Sequence, residues 1–100
     1  MKVDIQEANG VYTGKLAGWL DTNEAKQFMN DIQPLFDHAD QQLVLDFGEL
    51  EYISSLGLRV LLRLNKESAA KGGHLVLTNM NEEVQKIFKM TGFVKLFDIK

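Results

Sequence analysis

Apolar and polar residues alternate at the start of the chain, where Val3 and Ile5 are interleaved with Lys2, Asp4 and Gln6, the period of a strand with one buried face. A second alternating run covers Val11 to Ala17, and Asn9-Gly10 stands between the two. Both of these residues tolerate positive φ, so the pair predicts a tight β-hairpin. The period then changes. Ala25, Phe28, Met29, Ile32, Leu35 and Phe36 recur at helical spacing and make one apolar stripe. Asp21-Thr22-Asn23-Glu24 supplies the start of that helix, an acceptor side chain with a glutamate three residues on. Pro34 removes a backbone donor near its end and predicts a bent last turn.

After the polar segment Asp37–Gln42, a strand of Leu43, Val44, Leu45 and Phe47 leads through a short polar turn into a second helix. That helix is predicted from Leu56 to Lys71, with Gly72-Gly73 as its stop. His74–Thr78 reads as a further strand. Asn81 caps a helix running to Met90, with Gly92 as its stop, and the apolar tail Phe93–Ile99 is open between strand and helix. This order predicts one α/β domain over residues 1–100. Its mixed sheet of four or five strands has the N-terminal hairpin at an antiparallel edge, parallel strands joined by right-handed crossovers, and three or four helices packed on it.

The central helix has apolar residues to spare. At about 100° per residue, Gly57, Val60, Leu61, Leu64 and Ser68 share the side expected to face the core. Arg59, Arg63 and Lys66 form a basic stripe, which as a rule is simply a solvated face. Leu58 and Leu62 fall beyond that stripe. They pack against a neighbouring helix or form an exposed apolar patch, which would mark a partner surface.

Composition narrows the classes of function. A net charge of −3 argues against nucleic acid as the main partner, since binding phosphates needs a basic surface. The absence of cysteine excludes a disulfide framework, a thiolate zinc site and a thiol nucleophile, and fits a reducing cytoplasm. The opening residues are charged and alternating, unlike a signal peptide or anchor, and no apolar run approaches the ~20 residues that span a bilayer. Enzymatic motifs are missing as well. Ser55-Leu56-Gly57 lacks the glycine of a nucleophile elbow, because Ile53 occupies that position. Neither His38 nor His74 has a carboxylate at a telling spacing, and no metal-ligand spacing occurs.

What remains is Asp46–Leu62, DFGELEYISSLGLRVLL, which sets Ser54 and Ser55 at a helix start beside free backbone N–H groups. Such a place suits a hydroxyl cap or a phosphate. Asp21 and Asp46 fall near element ends expected to converge on this turn, and Asp21 reads first as a helix cap. Trp19, beside Gly18, reads as a partly buried loop aromatic.

These residues resemble the STAS-domain family, and within it the small bacterial anti-sigma factor antagonists. The matching run is Tyr52-Ile53-Ser54-Ser55-Leu56-Gly57-Leu58; Gly18-Trp19-Leu20-Asp21-Thr22, Lys71-Gly72-Gly73-His74-Leu75 and Ile87–Gly92 match in the same order. The resemblance implies a binding protein rather than an enzyme, with no cofactor. Its unphosphorylated form binds an anti-sigma factor that is also a serine kinase, which frees a sigma factor. Phosphorylation ends the contact and a serine phosphatase restores it. The acceptor maps to Ser55, with Ser54 the second choice. The partner surface implied comprises Asp21, Ser54, Ser55, Leu56, Gly57, Leu58, Arg59 and Leu62. The resemblance also implies a cytoplasmic monomer or weak dimer that engages neither nucleic acid nor membrane. Two departures stand out: Ser54 where members often carry aspartate, and Leu56 in place of a small residue. Other members suggest two further readings, an adaptor of a transporter or lipid-trafficking complex, and a small-ligand or nucleotide sensor.

Overall fold

The computed structural model describes residues 1–100. Strands β1 (Lys2–Ala8) and β2 (Val11–Leu20) form the expected hairpin. Its turn holds Asn9 at φ 54° and Gly10 at φ 82°, the left-handed region that Asn-Gly accommodates. Helices α1 (Ala25–Asp31) and α2 (Gln33–Asp37) lead to β3 (Gln42–Ile53) and then to α3 (Ser55–Ala70). Strand β4 (His74–Thr78), helix α4 (Glu82–Thr91), a 3₁₀ turn at Phe93–Leu96 and the short β5 (Asp98–Ile99) complete the order. The five strands lie side by side in sequence order, β1 antiparallel to β2 and every later pair parallel. No helix is long and apolar enough to cross a membrane.

The helices pack on one face of the sheet. Leu16, Leu20, Leu43, Leu45, Phe47, Leu75 and Leu77 point into that side and join Phe28, Ile32, Leu35, Leu61, Leu64, Val84 and Phe88 from the helices in a single core. On the opposite face Thr13, Val44, Asp46, Val76 and Thr78 are only half-buried.

Two elements differ from the sequence expectation, and a third is decided by the structure. The first helix is two. The chain breaks at Ile32, where ψ reaches 12°, and restarts with Pro34 in the first turn of α2, a position that needs no N–H donor. The polar turn expected after Phe47 is strand: β3 continues to Ile53, paired to β2 as far as Leu20↔Ile53. Register shifts between Lys15 and Ala17 and between Gly18 and Trp19 disturb the alternation there, so the segment loses its period-two signature. The apolar tail is a 3₁₀ turn followed by two residues of parallel strand.

Candidate functional site

The long β2/β3 ladder decides where the serines stand. Beyond the Leu20↔Ile53 pair, the Ser54 N–H donates to the Leu20 carbonyl at 2.8 Å, so α3 begins directly beside the point where β2 gives way to the Asp21 turn. Both segments leave the carboxyl ends of adjacent strands, the edge where open α/β sheets carry their sites. Asp21 Oδ1 accepts from the Glu24 N–H at 3.0 Å and holds the turn leading into α1. Its cap is thus one turn ahead of the regular helix.

The two serines have different jobs. Ser54 is 5% exposed and is the N-cap of α3, with extended backbone (φ −84°, ψ 169°); its Oγ accepts from Gly57 N–H at 3.2 Å and its carbonyl from Leu58 N–H at 2.9 Å. Ser55 is exposed at the first helical position. The N–H groups of Ser55 and Leu56 have no hydrogen-bond partner within the chain, so the positive end of the α3 dipole opens to solvent beside the Ser55 hydroxyl. Gly57 is buried. A Cβ there would come within 2.9 Å of Ile53 Cγ1 and of Leu20 Cγ and Cδ2, so α3 rests directly on the last residues of β2 and β3.

The core arc of α3 is centred further round than the sequence suggested. Gly57, Leu58, Leu61, Leu64 and Ser68 are buried, and Leu58 is 0% exposed. Leu62 is half-buried and packs against the same core. The C-terminal segment reaches this side of α3. The Asn65 side chain donates to the Leu96 carbonyl at 2.8 Å, and Phe97 is buried, so this flank of α3 is covered. Of the two readings of Leu58 and Leu62, the packed one holds and the exposed apolar patch does not. Instead Leu56, 40% exposed, and half-buried Val60 face outward on the other flank.

That flank borders a shallow groove of about 390 Å³ between α1 and α3. Ala25, Met29, Leu56 and Val60 give it an apolar floor, while Lys26, Arg59 and Arg63 supply its charge. Two members of the basic stripe thus line the groove and Lys66 does not. The contribution of α1, Lys26 and Met29, was not foreseen, since nothing in the sequence says which face of α1 turns toward α3.

Asp46 is not at the serine turn. It sits midway along β3, opposite Thr78, and its Oδ1 accepts from Gly48 N–H at 2.9 Å and Asn79 Nδ2 at 3.1 Å. Trp19 is not in a loop either. It lies in β2, 57% exposed, and its ring meets that of Tyr52 at 5.3 Å. His74 does have a carboxylate partner: its Nε2 lies 2.7 Å from Asp98 Oδ2, a contact made by the parallel β4/β5 pairing. His74 and Lys100 hold the Asp98 carboxyl below its ordinary range, the His74 hydrogen bond contributing most.

A STAS-fold sheet with a capped serine turn at the carboxyl ends of two parallel strands defines the class, and a sequence profile of the STAS domain matches residues 2–100. The chain belongs to the STAS-domain family. It is 32% identical over 99 residues to BtrV of Bordetella bronchiseptica, assigned as an anti-sigma factor antagonist, covering 99% of this chain and 85% of that protein. Among solved structures it resembles an assigned anti-sigma factor antagonist from Thermotoga maritima, with a TM-score of 0.86 at 20% identity, over 97% of this chain and 84% of the other. It also resembles the Bacillus cell fate determinant SpoIIAA in its phosphorylated form, with a TM-score of 0.72 at 19% identity, over 99% and 91% of the two chains.

Proposed function

We propose that this protein is an anti-sigma factor antagonist switched by phosphorylation of Ser55. Unphosphorylated, it binds in the cytoplasm an anti-sigma factor that is also a serine kinase, and the sigma factor is released. Phosphate transferred to Ser55 ends the contact, and a serine phosphatase restores it. The observation that carries this reading is the division of labour between the serines. Ser54 is buried and occupied as a cap, whereas Ser55 is exposed beside two unpartnered N–H groups. A phosphoserine at the first helical position brings about −1.5 to −2 charges to the favourable end of the helix dipole, so the fold tolerates it. Its cost falls on the complex, where the dianion must be desolvated against the partner.

The partner surface on this reading is the serine turn with Asp21 at its edge, and Leu56 and Arg59 on the exposed flank of α3. Gly57 and Leu58 support it from beneath, and Leu62 lies on the covered flank. The relatives named above are assigned to sigma regulation or carry phosphate, which favours this reading over a transporter adaptor or a nucleotide sensor.

The test is incubation with the cognate anti-sigma kinase and ATP, followed by mass mapping of the Ser54–Ser55 peptide. One phosphate on Ser55 is expected, together with loss of the complex. Ser55→Glu should weaken binding at least tenfold while leaving stability within about 0.5 kcal/mol of wild type, as for other exposed sites. A chain that binds the anti-sigma factor but accepts phosphate on neither serine would falsify the switch.

A further inference from the structure

We propose that the α1/α3 groove is the docking site for an acidic amphipathic segment of the anti-sigma partner, and that phosphate on Ser55 acts by cancelling the groove's charge. This inference rests on the function proposed above and specifies the chemistry of its partner.

The charge distribution is the starting point. The whole chain carries −3, yet Lys26, Arg59 and Arg63 converge on one groove with no acidic residue lining it. The remainder of the surface therefore carries −6. None of the three cations is in an ion pair, although Lys71, Lys86 and Lys100 each have a carboxylate within 4 Å. Further along α3, Asp37 and Glu67 offset Lys71 and Arg63, so the unbalanced positive charge lies in the turns nearer Ser55. A free cationic cluster on an acidic protein selects for carboxylates and disfavours a second copy of this chain.

The floor selects for apolar side chains. Leu56 is one of four large hydrophobic residues left exposed, and it stands at the groove's edge next to Ser55. An occupant that satisfies both features presents apolar residues along one side and carboxylates beside them, as an amphipathic segment does. The groove is shallow and open, which suits a segment laid across it better than an enclosed small molecule.

Ser55 connects this surface to the switch. Arg59 is one helical turn on from Ser55 and on the same face, the spacing at which opposite charges on a helix meet. A phosphoserine there carries about −1.5 to −2 charges at neutral pH, against three positive charges in the groove. It engages Arg59 and repels the incoming carboxylates, so about half to two-thirds of the groove's charge is offset with no change of fold.

The experiment uses the full chain and the cognate anti-sigma kinase of the assay above. The paired variant Lys26→Glu/Arg63→Glu is compared with Lys2→Glu/Lys86→Glu, an equal charge change on β1 and α4. Thermal melts of both confirm folding. The groove variant should bind at least tenfold more weakly, with a flatter dependence on ionic strength; the control should match wild type. Adding Ser55→Glu to the groove variant should cost much less than it costs wild type, since both act on the same attraction. Leu56→Asn should weaken binding without altering the salt dependence. Equal binding by the groove variant and its control overturns the docking site and leaves the antagonist function standing. Additive losses overturn the link to Ser55. If the groove variant instead loses adsorption to phosphatidylglycerol vesicles while retaining the anti-sigma factor, the groove is a membrane site and the proposal fails. If wild type binds no anti-sigma factor, this inference and the proposed function fall together.

Discussion

Ser54 and Ser55 are neighbours of the same type, and one peptide bond separates a structural hydroxyl from an accessible one. Replacing Ser54 by alanine removes the acceptor for Gly57 N–H in a buried place, which costs about 1 kcal/mol for a helix N-cap. In a domain of this size that lowers the midpoint of thermal unfolding by about 4–8 °C. Ser55→Ala removes no hydrogen bond within the chain and should leave the midpoint within a degree or two of wild type. Paired melts by circular dichroism decide the matter; a larger loss for Ser55→Ala would reverse the two roles. By residue type alone either serine could cap the helix, because a hydroxyl at a helix start serves that purpose at both positions. Burial is what separates them, and burial depends on the Leu20 carbonyl that receives Ser54 N–H from a strand more than thirty residues away.

At the level of elements, the legible parts are those whose signal is local. The Asn9-Gly10 hairpin turn, the strand His74–Thr78, the Asn81 cap with its Val84 N–H bond at 2.9 Å, and the left-handed Gly92 stop all follow from a few adjacent residues. What escaped is whatever partners impose. The far half of β3 is strand because β2 pairs with it through two register shifts, and the face of α3 is set by the core it joins. Local sequence leaves Leu58 open between a helix contact and an exposed patch, and only the packing shows that it is fully buried. The seating of α3 itself can be tested at Gly57. Alanine there gains about 1 kcal/mol of helix propensity, but its methyl would press within 2.9 Å of the Leu20 and Ile53 side chains. Overpacking of this kind costs about 1–3 kcal/mol, so a net loss of about 1 kcal/mol is expected in urea unfolding. The same variant should bind the anti-sigma factor less well, because the helix start must lift off the ends of β2 and β3. A Gly57→Ala protein more stable than wild type would mean that the helix has room there, and that close approach is not the reason for glycine.

For the whole molecule, the antiparallel hairpin and the parallel β3/β4 pair are legible in the sequence, while the closure of the far edge is not. Strand β5 pairs with β4 at only Val76↔Asp98 and Leu77↔Ile99, with the Lys100 N–H reaching the Leu77 carbonyl at 2.9 Å. So short an edge needs side-chain support, and Asp98 supplies it by meeting both His74 at 2.7 Å and Lys100 at 3.5 Å. No local pattern announces a pair 24 residues apart in sequence; it arises only once two parallel strands place their side chains on the same face. The pairing has a thermodynamic signature. The folded-state pKa of Asp98 lies below its unfolded value, chiefly through the His74 hydrogen bond and further through the charge of Lys100. Its contribution is then fully present above the unfolded carboxylate value of about 3.9, and is lost as the pH falls through the lower folded value. Asp98→Asn abolishes that linkage. Its unfolding free energy should therefore fall less steeply than that of wild type as the pH is lowered below about 4, while the wild-type advantage persists at neutral pH. Because the Asp98 side chain keeps 33% of its surface in solvent, the difference should also shrink with added salt. Urea titrations across the acid range at low and high salt read both effects. Parallel pH profiles for the two proteins would mean that the edge is held by its backbone bonds and by Phe97 in the core, with the His74–Asp98 contact adding nothing to the closure of the sheet.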